Sequence, residues 1–453
     1  MGLVRPTRPR ADAQASGDAF GRNDPRPSET PAAGALRSSM LVFASSVASK
    51  GLLALLAFVL IRYLAPPEYA RLTLATAWIA TVTGCVTATA NKVFIVGIGR
   101  PAFRGASPSS FVGLQLAVVG ALSLLAAPFA LREGALVGFG ALLVAAFCLV
   151  DFAQTASQQE LRFGYHAKLE FVRSLALLVA VTAVLLLESR GAKAWEVLGI
   201  QAVATLALAV VVWRRRLELR AVLRISDAAR LAASIWRSGY GAVSLYFIIL
   251  AVSGQTDVFM LSALGSGGEV AAYGSATRYY ALFMLALGAV NIVQLPVMRR
   301  ARSYADIDDV YRRHWRLVPI FAAGAFGVMY VAQWVMPWVD RGRYPEAVNA
   351  FRILAASSVV SFALSPHAVL PIILEDFRFI VKVALGAWAT AIVLHLVLIP
   401  RWHVTGAAVA AAVGFAAQNT IVWGRARWHR RRQTPLPDSP AEPMAATAGS
   451  GAA

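Results

Sequence analysis

The chain has 453 residues, of which 58% are hydrophobic and only 15% charged, whereas soluble domains carry roughly a quarter charged residues. Its net charge of +19 does not indicate a nucleic-acid partner, because the basic residues flank apolar runs and form no single patch or stripe. Cys85 and Cys148, the two cysteines, both fall inside apolar runs and offer neither a disulfide framework nor metal-ligand spacing.

Residues 1–37 read as a disordered, basic cytoplasmic arm. Without an apolar core the arm is not a cleavable signal peptide, so the first span acts as the targeting element. Apolar runs of about 20 residues then recur, the length that crosses a hydrocarbon core of about 30 Å. In a first six-helix bundle, 38–213, spans are expected at 39–64, 70–97, 111–131, 135–157, 168–188 and 194–213. A basic cytoplasmic linker, 214–238, follows. In a second bundle, 239–424, spans are expected at 240–264, 270–297, 317–339, 348–373, 379–399 and 404–424. The remainder, 425–453, reads as a cytoplasmic tail rich in Pro, Ala and Gly.

Lys and Arg gather at alternate span ends, roughly thirty on the side of the amino terminus against about nine on the other. That bias places both termini in the cytoplasm, and twelve spans preserve the alternation. The two halves also resemble each other. Span one is followed by a short Pro-rich turn leading to Glu68, and span seven by a Gly-rich turn leading to Glu269. Asn91 near the end of span two has a counterpart in Asn291 near the end of span eight. Repeats of one orientation imply a pseudo-two-fold axis along the membrane normal, with substrate bound between the halves. The expected fold is therefore an all-α polytopic membrane protein of about twelve helices in two pseudo-symmetric bundles.

Three stretches carry a family resemblance. RYLAPPEYARL, from Arg62 to Leu72, resembles the first outer turn of the polysaccharide-biosynthesis flippases, the Wzx-type branch of the MOP exporter superfamily. LGSGGEVAAYGSATR, from Leu264 to Arg278, is similar to that family's turn into span eight, which here ends in Leu295-Pro296 before Arg299 and Arg300. IPRWHVTGAAVA, from Ile399 to Ala410, is similar to its last outer turn. The chain departs from the pattern at Ala65 and Ala70, where the family often has Gly. The resemblance covers about residues 38–424 and implies translocation of an undecaprenyl-diphosphate-linked oligosaccharide to the periplasmic leaflet of the inner membrane. It further implies membrane lipids, a polysaccharide polymerase and chain-length proteins as partners.

Ionisable groups at mid-bilayer cost several kcal/mol and normally face a cavity or a partner. Lys50 lies midway between Arg37 and Arg62, too deep for its amine to snorkel out easily. It would suit a substrate diphosphate, or else bond to backbone or a polar neighbour. Lys92 and Arg278 are the other substrate-binding candidates, although Lys92 could also stretch to the inner headgroups. Asp257 and Arg278 flank the turn near Gly267 at similar depth and are expected to form an ion pair, structural or gating. Asp151 pairs with a neighbouring helix or serves as a proton site. Arg62 and Arg71 read as interface anchors, Trp338 and Trp423 as belt residues, and the run from Gly406 to Gly414 as close helix packing. His367 and His395 lie within spans but have no companion at ligand spacing.

Asp306, Asp308 and Asp309 superficially resemble an acidic metal motif, but their short loop has no nucleotide-binding domain around it. No nucleophile elbow or phosphate loop is present, and no cofactor or metal is expected. The leading expectation is a flippase, not an enzyme. The alternatives are an ion-coupled small-molecule or multidrug antiporter of the same superfamily and, less favoured, a membrane polymerase or ligase of polysaccharide assembly. The short outer loops count against those enzymes.

Overall fold

The computed structural model describes residues 31–97, 103, 106–125, 127–159, 163–187, 191–214, 225–238, 240–299, 301, 303–374, 376–433 and 436. These residues form helices and short connections, with no strand among them. The first bundle comprises α1 (Pro31–Tyr63), α2 (Pro66–Gly97), α3 (Pro108–Leu125), α4 (Ala127–Gln159), α5 (Phe163–Leu187) and α6 (Ala194–Trp213). α7 (Ile225–Arg237) precedes the second bundle of α8 (Tyr240–Ser253), α9 (Thr256–Leu264), α10 (Gly267–Arg299), α11 (Tyr304–Asp340), α12 (Pro345–Ile373) and α13 (Phe377–Arg431).

Seven of these helices are long and apolar enough to cross a membrane by length and composition. One of them, α13, has 55 residues, which would stretch about 80 Å if straight. It is two antiparallel helices instead. His403 breaks the helical path with φ 49°, and past the break a Cβ on Gly414 would lie 3.3 Å from Ala391 Cβ. A described helical segment thus occupies most of each of the twelve expected spans, and the chain is an all-α, multi-pass membrane protein.

Several departures from the expected boundaries have local causes. α1 begins at Pro31, inside the segment read as a disordered arm, and residues 1–30 lie outside the described residues. The seventh span is broken in two at Gly254-Gln255. α4 contains a non-helical residue, Glu133, so its membrane segment starts after it. α13 continues to Arg431, into the segment read as a tail. Within the basic linker, α7 meets α8 at 99°, burying Ala228, Leu231 and Ile235; α3 is its main packing partner.

Helix starts follow the residues that favour them. Pro66 opens α2 and Pro345 opens α12, where a missing N–H costs nothing. Glu68, Glu196, Glu269 and Glu346 each occupy a first helical turn, where a carboxylate suits the positive end of the dipole. Ser303 caps α11 and shares a capping box with Asp306. The acidic loop therefore serves as a helix start. Among the described residues no cluster of His, Cys, Asp or Glu could hold a metal ion.

Within the first bundle α1 packs on α5 and α4 on α6, and within the second α12 packs on α13 and α10 on α12. The halves meet through α2 against α8 and α10, and through α1 against α10 and α11. Two glycines make those meetings close. A Cβ on Gly84 would lie 2.7 Å from Ala251 Cβ, and one on Gly274 would lie 2.5 Å from Thr73 Oγ1.

Candidate functional site

Where the halves meet, a cavity of about 520 Å³ opens between α2, the α8–α9 break, α10, α12 and α13. Pockets that hold small molecules run from about 300 to 1,000 Å³. The break is what makes room. Gly254 and Gln255 interrupt the helix and α9 starts inside the span, with Gly254, Gln255 and Asp257 lining the cavity. Irregular backbone at membrane depth is tolerated where it lines such a cavity.

The structure brings Asp257 and Arg278 into this cavity but does not join them. Asp257, in the first turn of α9, accepts hydrogen bonds from the Tyr273 hydroxyl and, at 2.9 Å, from the Val258 N–H. Arg278 donates across the interface to Thr76 Oγ1 on α2 at 3.1 Å. No Asp257–Arg278 ion pair forms among the described residues. Each charge is instead bonded to a hydroxyl, Tyr273 for Asp257 and Thr76 for Arg278. The guanidinium thereby bridges the two halves and remains part of the cavity wall.

Lys50 does not line that cavity. It lies exposed on α1, on the helical face it shares with Ala57 and Ile61. Those two are 9% and 0% exposed. The face is packed near the outer turn and open at the depth of Lys50, where no described group bonds the amine. The backbone of Lys92 is helical within α2, and its side chain lies outside the described residues.

Asp151 sits away from the cavity, on α4. Arg173 of α5 bonds it at 3.0 Å and lies 5.5 Å over the Phe147 ring. The pair joins α4 to α5.

The end of the interface beside the α1–α2 and α11–α12 turns is closed by contacts that sequence reasoning missed. Arg62 is no simple anchor. It donates to the Trp338 carbonyl on α11 at 3.1 Å and lies over the Trp338 ring at 5.8 Å. Arg343 returns the contact, donating to the Leu64 carbonyl at 2.9 Å. The rings of Tyr69 and Tyr344 approach to 5.8 Å across the interface, and within the second half His403 lies 2.8 Å from Glu269. Arg71 stays on the surface with Glu68 at 3.2 Å and Glu133 at 3.8 Å.

At the opposite end of the second half, Arg425 Nε and Nη2 both donate to Asp376, at 2.9 and 2.7 Å, and His429 lies 3.2 Å away. Burial alone would raise the Asp376 carboxyl, but hydrogen bonds and charge from Arg425 and His429 outweigh it and hold it below the usual carboxylate range. A depressed folded-state pKa stabilises above the ordinary carboxylate value and loses that effect as pH falls through the lowered one.

Three uncharged cavity residues had no signal in a scan for intramembrane charge: Trp388, His395 and Gln418. His395 was visible only as a histidine without a companion. Thr76 was equally silent, since its importance comes from Arg278, which is distant in sequence.

No protein-family model matches the chain, and no curated protein matches it in sequence. Its fold matches solved transporters of the MOP superfamily. A lipid II flippase, MurJ, in an inward closed conformation is similar with a TM-score of 0.68 at 10% identity, over 86% of this chain and 87% of that one. A multidrug resistance MATE family transporter of the MOP superfamily, inward-facing, has a TM-score of 0.63 at 12% identity, over 85% and 96%. The Vibrio cholerae MATE transporter VcmN in its bent form has 0.55 at 14% identity, over 88% and 98%. At these identities the likeness establishes the fold, and it includes both lipid-linked and multidrug transport among the proteins that share it.

Proposed function

We propose that the protein translocates an undecaprenyl-diphosphate-linked oligosaccharide across the inner membrane by alternating access, with both termini in the cytoplasm. The observation that carries this reading is Arg278, a fixed cation in the wall of the cavity between the halves, bonded to Thr76 of the opposite half. Thr76 takes one of the guanidinium's five N–H donors and none of its charge, which an anionic headgroup compensates and an apolar or cationic cargo would not. The outer end is closed by Arg62 and Arg343, and α1 is open at Lys50. A diphosphate is offered Lys50 on the exposed face of α1 and Arg278 in the cavity wall, while its polyprenyl tail stays in the bilayer. Lys92 is placed by sequence on α2 and is a third candidate for the same charge. Surface polysaccharide assembly then supplies the partners, a polymerase and chain-length proteins.

The second reading, a small-molecule antiporter, is favoured by Asp257, a carboxylate in the same cavity and the kind of group that would hold a cationic cargo or a proton. In this structure Asp257 is already engaged by Tyr273 and Val258.

The test is charge retention at Lys50. A hydrogen bond to a charged group contributes about 1.5–3 kcal/mol, so Lys50→Met should cut surface glycan display by about tenfold or more. Lys50→Arg should keep most of it. Both proteins should accumulate normally, and lipid-linked intermediates should build up on the cytoplasmic side in the Met variant. Normal display from Lys50→Met would remove the role, and a matching fall in protein level would make the lysine structural.

A further inference from the structure

We infer that the cavity has a second, uncharged subsite on its α9–α13 side, built from Trp388, His395, Gln418 and Gln255, that binds a pyranose ring. The inference rests on the proposed lipid-linked glycan cargo and concerns which part of that cargo is read, and where.

The polar groups on this side are of two kinds. Those that carry charge or meet backbone are occupied: Asp257 by Tyr273, Arg278 by Thr76, and Thr256 Oγ1 by the Val252 carbonyl. Three neutral side chains, His395, Gln255 and Gln418, keep unspent polar atoms. His395 is 2% exposed and lines the cavity, and its Nδ1 has no hydrogen-bond partner among the described residues. The side-chain amides of Gln255 and Gln418 line the same wall and make no hydrogen bond with the described residues. Only the His395 nitrogen among these is buried, and leaving it unpaired costs free energy that a ligand pairing it would recover. The half-buried amides offer further donors and acceptors beside it.

Trp388 supplies the complementary apolar surface. Its indole N–H donates to Thr256 Oγ1 at 2.8 Å, which fixes the ring against α9. An indole with its polar edge satisfied presents only an apolar face, and Phe415 lies on the same wall. One flat apolar surface beside several neutral donors and acceptors matches a sugar ring, which has an apolar C–H face and a rim of hydroxyls. It does not match a diphosphate, which wants cations, or a lipophilic cation, which would leave the amides and the imidazole unpaired.

The subsite also sits apart from the cation in sequence and support. Trp388 and His395 belong to the first arm of α13 and Gln418 to its second, whereas Arg278 belongs to α10 and is held by α2. Diphosphate and sugar are thus read by different elements of one cavity.

The experiment measures equilibrium binding of two probes to the purified full-length protein in nanodiscs: undecaprenyl diphosphate and undecaprenyl-diphosphate-N-acetylglucosamine. Wild type should bind the sugar-bearing probe about tenfold more tightly, the ratio that one or two net hydrogen bonds supply. Gln418→Leu and His395→Leu should each bring that ratio towards one, with binding of the sugarless probe unchanged as the control for folding. His395→Asn, which keeps a polar atom near the Nδ1 position, should retain part of the ratio. Arg278→Met should weaken both probes alike and leave the ratio intact. A ratio of one in wild type, or a ratio untouched by both Leu substitutions, overturns the subsite while leaving the flippase reading standing. Failure of wild type to bind either probe overturns the flippase reading itself.

Discussion

At the scale of single residues, the deciding quantity is which partner a membrane-buried charge reaches first. Asp257 and Arg278 were expected to find each other, and each instead finds a hydroxyl, Tyr273 for one and Thr76 for the other. A charge-swapped Asp257→Arg, Arg278→Asp protein should therefore fail to recover function, because neither hydroxyl contact is restored. Asp257→Asn and Tyr273→Phe should each destabilise the protein by about 1–3 kcal/mol through an unsatisfied buried group. Combined, they should cost less than the sum, with a coupling of about 0.5–3 kcal/mol in thermal unfolding. Strict additivity would mean that the bond has no energetic role. Lys50 shows the complementary case, an exposed charge with no partner among the described residues.

Among the elements, the broken seventh span and the outer contacts of α1 divide the work. The break at Gly254-Gln255 creates the lumen, and the pairings of Arg62 with Trp338 and Arg343 with Leu64 close it outside. Each arginine donates to a carbonyl in the other half, at the end of a helix or just beyond it. Such contacts form only when the halves are closed on that side. Arg62→Ala with Arg343→Ala should shift the population towards an outward-open form. The measurement is labelling of a Thr277→Cys reporter, on a background lacking Cys85 and Cys148, by an impermeant maleimide added outside. Labelling should rise several-fold relative to the reporter alone; unchanged labelling would show that the two arginines do not hold the outer end. Glycine acts in the same interface by close approach. α10 meets α2 at Gly274 so tightly that any larger residue would displace Thr73, three residues before the hydroxyl that holds Arg278.

For the whole molecule, two helical bundles share one interface, closed at the end of the outer turns. The placement of the basic residues leads us to expect both termini on the cytoplasmic side. Reporter fusions after Arg216, Arg316 and Arg432 should all give cytoplasmic signals, and those after Arg132 and Arg343 periplasmic ones. A periplasmic signal at Arg216 would refute the twelve-span arrangement. The hairpin within α13 matters to this count, since its reversal at His403 returns the chain to the side it came from.

Hydrophobic run length was enough to read the all-α, multi-pass membrane class, and the twelve expected spans each fall largely on a described helix. Run length is a local property, and the bilayer imposes it on each segment separately. Glu68 and Glu269 at helix starts, and the cavity candidates Arg278 and Asp257, were legible for the same reason: charge in an apolar run is conspicuous wherever it occurs. What only the tertiary structure decided was partnership. Arg278 with Thr76, Arg62 with Trp338 and Asp151 with Arg173 join helices through distances that no local pattern encodes. The neutral wall of Trp388, His395 and Gln418 was invisible for a related reason. An uncharged polar residue in a span can satisfy itself against its own helix, and only the packing of α13 shows that His395 leaves a buried nitrogen unpaired.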